Sequence, residues 1–84
     1  MNIYVGNLNF KVTENDLENL FGEYGTVSSA KIITDKYSGR SKGFGFVTMD
    51  DHDEASKAIE ELNGSNFQSR DMVVNEARPK KTDY

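Results

Sequence analysis

Hydrophobic residues repeat with two different periods along the chain, and the switches between them divide it into six segments. Residues 2–6, Asn-Ile-Tyr-Val-Gly, are β-rich and closed by Gly6-Asn7, which predicts a short strand. Leu17, Leu20 and Phe21 stand at i, i+3 and i+4, one apolar stripe of a helix over 13–23. Thr13 and Asp16 resemble a capping box with Asp in the usual Glu position, and Gly22 and Gly25 end the helix. Val27, Ala30 and Ile32 predict a second strand, with a spacing uneven enough to imply a bulge. A polar hairpin-like loop over 35–41 leads to a third strand over 42–49.

The second helix spans 50–63, starting near Asp51 with Glu54 as its capping partner. Its stripe is Ala55, Ala58, Ile59 and Leu62, and Asn63-Gly64 is its stop. After a polar loop around Phe67, Met72-Val73-Val74 forms the last strand, ended by Pro79 before Lys80-Lys81. The order βαββαβ predicts a ferredoxin-like α+β sandwich: one four-stranded antiparallel sheet with both helices on one face. We assign residues 1–79 to a single domain and 80–84 to a short tail.

Side chains alternate faces along a strand. Ile3 and Val5 share one face of the first strand, and Val47 and Met49 share one face of the third. These four form the natural roof for two amphipathic helices. Tyr4, Phe44 and Phe46 then point to the other side, toward water, while the inward positions beside them are Gly43 and Gly45. Placing the two phenylalanines in the core instead would expel Val47 and Met49 and bury Lys42, because a one-residue slip inverts the face. Three large aromatics on the solvent side of a small domain call for a ligand. Every nucleobase has a π-face, so a stacking platform fits, with Arg40 and Lys42 at its rim to meet phosphates.

The net charge of −4 changes the picture only through its distribution. The two helical segments carry ten acids and one base, a net −9, and the remainder carries nine bases and four acids, a net +5. With the helices on one side of the sheet, the other side is the basic one. The 84 residues contain no cysteine, which excludes disulfides and cysteine-ligated metal. No apolar run reaches a membrane-spanning length, and residues 1–15 lack the order of a signal peptide. The expected location is the cytoplasm, or the nucleus or an organelle in a eukaryote.

Ile3-Tyr4-Val5-Gly6-Asn7-Leu8 and Lys42-Gly43-Phe44-Gly45-Phe46-Val47-Thr48-Met49 resemble the six- and eight-residue motifs of RNA recognition motif (RRM) domains. The likeness covers about residues 2–78, with Met49 replacing the last aromatic and Ser69 standing where the family often has Gly. The resemblance implies single-stranded RNA as partner, in a post-transcriptional or RNA-chaperone role. Tyr4 and Phe46 would each stack on a base, Phe44 would lie against the sugars, and Lys42 would hold a phosphate. Asn75, Ala77 and Arg78 would contact base edges, and Lys31 and Ile33 would extend the platform. The chain is also similar to the small single-module RNA-binding proteins of bacteria and plant organelles.

Competing readings are weaker. His52 among Asp50, Asp51 and Asp53 is a solvated helix start rather than a metal site. Gly39-Arg40-Ser41-Lys42-Gly43 lacks P-loop spacing. Acylphosphatase-like hydrolases share the architecture, but fold alone does not assign function, and no nucleophile–base–acid set is visible. We expect a monomer that is not an enzyme and needs no cofactor, metal or membrane. Single-stranded DNA as ligand and a protein partner on the acidic helices stay open.

Overall fold

The structure is a computed structural model, and it describes residues 1–77. The elements run β1 (Asn2–Gly6), α1 (Glu14–Gly22), β2 (Val27–Thr34), β3 (Ser41–Met49), α2 (His52–Leu62), β4 (Asn66–Phe67), β5 (Arg70–Asp71) and β6 (Val73–Glu76). Four strands form one antiparallel sheet in the order β2-β3-β1-β6, and β4 and β5 make a separate hairpin. The βαββαβ sandwich predicted from the sequence is the observed fold. The extra hairpin was expected as a loop, and the last strand lies one residue later than Met72 and ends at Glu76. Among the described residues no helix is long and apolar enough to cross a membrane.

The core follows strand parity. Ile3, Val5, Val47 and Met49 are fully buried, covered by Leu17 and Phe21 of α1 and by Ala55, Ala58 and Leu62 of α2. Met49, which replaces an aromatic of the family pattern, is thus a core side chain. The expected bulge is present, as register shifts in β2 between Val27 and Ser29 and between Ile32 and Thr34. Gly45 pairs with Ile32 beside that second shift; a Cβ on Gly45 would overlap the Lys31 carbonyl and stand 3.1 Å from the Ile32 Cα. Close approach of β2 therefore requires glycine at this inward position.

Helix ends show one expectation met and one altered. Thr13 Oγ1 accepts from Asp16 N (3.1 Å) while Asp16 Oδ2 accepts from Thr13 N (2.9 Å), a complete capping box. At α2, Asp51 Oδ1 accepts from Glu54 N, but Glu54 does not reach back. Its carboxylate instead accepts from Thr26 N at 3.2 Å, ahead of β2. Glu14 Oε2 likewise accepts from Ile32 N (3.1 Å), and Asn63 Oδ1 from Val74 N (3.0 Å). Residues at helix ends thus satisfy backbone donors on both edge strands of the sheet, where unpaired groups are a liability.

A second set of polar bonds ties the β1–α1 loop to the β4–β5 hairpin. Asn7, at φ 56°, donates to the Asp71 carbonyl (2.6 Å) and accepts from Arg70 (2.9 Å). Asn9 donates to the Gln68 carbonyl, and Gln68 donates to Asp16. Phe67 and Arg70 are register partners, so Gln68-Ser69 is a two-residue turn, and both residues have positive φ (49° and 72°). That is the type I′ pattern, in which Gly is favoured at the second position.

Two outcomes follow from these local geometries. Ser69→Gly should raise unfolding free energy by about 0.5–1 kcal/mol, the relief of left-handed strain less the added freedom of the unfolded chain. The readout is a melting temperature higher by about 2–8 °C, as expected for a domain of this size. In the capping box, the Thr13 backbone N–H, helped by the Thr13 hydroxyl and Gln68, holds the Asp16 carboxyl below the usual aspartate range against a smaller opposing effect of burial. A lowered folded-state pKa contributes stability that is present above the unfolded value of about 3.9 and lost as pH falls through the folded one. Thermal melts taken downward from pH 5 should show a steeper acid loss for the parent than for Asp16→Asn, whose amide does not titrate.

Candidate nucleic-acid interface

The pairing register builds the bare face of the sheet row by row. Tyr4 of β1 lies opposite Phe46 of β3 and opposite Asn75 of β6, and Phe46 lies opposite Lys31 of β2. Lys31, Phe46, Tyr4 and Asn75 therefore form one row across all four strands. The next row is Ser29, Thr48 and Asn2, extended by Ala77, whose N–H donates to the Asn2 carbonyl at 2.8 Å. Phe44 stands two residues before Phe46 on the same strand.

The three rings form one cluster. Tyr4 is 5.9 Å, centroid to centroid, from both Phe44 and Phe46, and Phe44 is 6.2 Å from Phe46. The tilted and edge-to-face geometries suit the aromatic quadrupoles. Tyr4 and Phe44 shelter one another and are half-buried, while Phe46 is 36% exposed. None of the three joins the buried core. Tyr4 lies flat along its own strand over Gly6: a Cβ there would stand 2.8 Å from the ring Cζ and would meet the hydroxyl. Glycine two residues on is what lets the ring lie down.

Charge flanks the rings at the β2–β3 end. Lys42 is exposed two residues before Phe44, and Arg40 is exposed in the preceding turn, its carbonyl accepting from Asp35 N (2.8 Å). Asp35 also accepts from the Tyr37 and Ser38 backbone N–H groups. These bonds, with a smaller Coulombic contribution from Lys42, hold its carboxyl below the usual range against the effect of burial. Asp35 is thereby committed to ordering the turn that carries Arg40. Phe10 and Tyr37, the most exposed aromatics among the described residues, lie outside the ring cluster.

Of the residues singled out from sequence, Tyr4, Phe44, Phe46, Lys31, Asn75 and Ala77 occupy the bare face together, with Lys42 and Arg40 at its end. Arg78 lies outside the described residues, as do Pro79 and the tail over 80–84. Sequence reasoning passed over Asn2, Ser29 and Thr48, which with Lys31, Phe46 and Ala77 line a depression of about 320 Å³. Alternation alone put Asn2 and Thr48 on this face, but Ser29 needed the register across the bulge. Among the described residues there is no group of three side chains arranged to hold a metal.

A four-stranded sheet with helices on one side and an aromatic cluster on the other defines a surface-binding module. The RNA recognition motif family model matches residues 3–73, and the chain belongs to that family. Among curated proteins it is similar to RbpF of Nostoc sp., 47% identical over 81 residues that cover 96% of this chain and 77% of RbpF. Among solved structures it superposes on RNA Binding Protein PG1 with a TM-score of 0.91 and 56% identity, covering 95% of this chain and 99% of that one. It also superposes on the protein of a Sxl-lethal protein/RNA complex, with a TM-score of 0.86 and 36% identity, covering 90% and 47% of the two chains.

The tight seat of Tyr4 gives a local test. Gly6→Ala should lift the ring from the strand and cost about 1–3 kcal/mol in stability through overpacking. Ring-to-ring NOEs from Tyr4 to Phe44 and Phe46 should weaken or vanish. Unchanged NOEs would show that the ring does not depend on the missing Cβ.

Proposed function

We propose that the chain binds single-stranded RNA across the bare face of its sheet. The observation that carries this is the Tyr4–Phe44–Phe46 cluster, mutually within 6.2 Å and set on the face opposite the helices. Tyr4 and Phe46 each take one base, Phe44 lies against the intervening sugars, and Lys42 and Arg40 meet phosphates. Lys31, Asn75 and Ala77, in the rows that hold the rings and just beyond them, approach base edges. Likeness to RNA Binding Protein PG1 and to the protein of an RNA complex supports the ligand class.

The module acts by binding and not by catalysis, since its ring cluster offers π-faces on which bases stack. Two or three stacked bases give roughly 4–6 kcal/mol, and phosphate contacts add to this. A lone domain then binds with Kd on the order of micromolar. The proposal includes a monomeric chain working in the cytoplasm in post-transcriptional handling of RNA, in keeping with its similarity to a bacterial protein. A protein partner on the acidic helices has less support, because Glu14 and Glu54 are engaged with the backbone at β2.

Phe46→Ala should weaken binding of a labelled single-stranded RNA by about 5- to 150-fold, the loss of one stacked base. Fluorescence anisotropy at fixed ionic strength measures this directly. Equal affinities for parent and variant would remove Phe46 from the site.

A further inference from the structure

The junction where α2 ends holds a reactive pair of residues. Of the eight asparagines in the chain, Asn63 is the one followed by glycine; the others precede Ile, Leu, Phe, Asp or Glu. A backbone nitrogen can attack the side-chain amide of the residue before it, and glycine, with no Cβ, leaves that approach open. Both residues are exposed, so water reaches them. The folded chain nevertheless blocks the attack. Closing the five-membered ring requires the Gly64 nitrogen to eclipse the Asn63 Cβ, and at ψ 123° it is turned away. Swinging it round breaks the bond from Gly64 N to the Met72 carbonyl (2.8 Å). The side chain is held as well, since Asn63 Oδ1 accepts from Val74 N at 3.0 Å. Met72 N donates to the Ser65 carbonyl (2.8 Å), a third tie between the same two segments. Met72 and Val74 are themselves anchored by side chains in the core.

We propose that Asn63-Gly64 is a spontaneous deamidation site, latched while residues 72–74 are docked and released when β6 lifts from the sheet. In the released chain Gly64 N gives up its proton and attacks Asn63 Cγ. A C–N bond forms, the bond from Cγ to Nδ2 breaks, and ammonia leaves carrying that proton. The product is a succinimide. Water then adds to one of its two carbonyls and breaks that carbonyl's bond to Gly64 N. Opening at Cγ gives aspartate. Opening at the backbone carbonyl gives isoaspartate, whose main chain is longer by one methylene at the junction of α2 with the hairpin. Either product puts a carboxylate where a neutral amide stood, and water is the sole co-reactant. The latch is local, because β6 is an edge strand paired with β1 alone in the sheet. An edge element opens at lower free energy than the whole domain. The rate in the folded chain is therefore the open-chain rate multiplied by the fraction with β6 lifted.

The test follows Asn63 by peptide mass spectrometry while the whole chain is held at mildly alkaline pH, folded in buffer or unfolded in guanidinium chloride. The unfolded chain should convert Asn63 ahead of the other asparagines, and the folded chain should convert it at least about tenfold more slowly. Two variants then separate local from global opening. Val74→Ala weakens the anchor of β6 and should speed conversion in the folded chain by about tenfold or more. Ile32→Val lowers global stability from β2, the opposite edge strand, and should leave the folded rate at the parent's value. Amide NMR spectra confirm that each variant is folded, and the comparison of folded and unfolded parent stands without either. Absence of conversion in the unfolded chain overturns the site. Equal rates in the folded and unfolded parent overturn the latch. So does an unchanged rate in folded Val74→Ala, or an acceleration in Ile32→Val that matches its loss of stability, which would make global unfolding the gate.

Discussion

The register between β1 and β3 is the constraint on which the other features depend. Ile3 with Val47 and Tyr4 with Phe46 are adjacent pairs of one ladder. The first pair is fully buried, and the second faces away from the helices. Because the side-chain period is two, no slip of one residue can keep either set in place. Burial of Ile3, Val5, Val47 and Met49 therefore does two things at once. It supplies the apolar contact that holds the helices, and it forces the rings outward. Placing aromatics on the solvent side needs no separate device, since the core enforces it.

The acidic helices take part in this arrangement more directly than their composition implies. Glu14 and Glu54 accept backbone donors at β2, and Asp16 and Asp51 cap their own helices. Four of the helical acids thus have structural partners. Their charge stays on the helical side of the sheet, while Lys31, Arg40 and Lys42 are exposed on or beside the bare face. A domain of net charge −4 keeps cations where a polyanion would approach.

Where the sequence was legible, its periods were strong. The stripes Leu17/Leu20/Phe21 and Ala55/Ala58/Ile59/Leu62 gave both helices, with Leu20 and Ile59 only partly buried at the margin of the core, and strand alternation gave the core and the ring cluster. The β4–β5 hairpin was missed because its turn residues, Gln68 and Ser69, hold positive φ without the Gly or Asn that announces it. Asn7 read as part of a motif, yet its amide clamps Arg70 and Asp71 more than sixty residues away. The Glu54 bond to Thr26 replaced an expected local cap for the same reason. Local patterns show what a residue can do within one turn, and distant partners enter only once the sheet is assembled. Ser29 is the sharpest case, since its place beside Thr48 depends on a bulge whose position the spacing only implied.

One register builds both the ring cluster and the polar row beside it. Rings are indifferent to which base they meet, because every base offers a π-face. Their contribution is set by area and by how flat they can lie, which for Tyr4 is decided by the absent side chain of Gly6. The row beside the rings is polar instead, and there the Thr48 hydroxyl donates to Asn2 Oδ1. That bond joins neighbouring strands, so it is held by the same β1–β3 ladder that presents the rings. Exchanging Asn2 or Thr48 changes this row without shifting the register, whereas shifting the ladder inverts ring cluster and core together. Sequence change in the polar row is thus open, and change in the register is closed by packing.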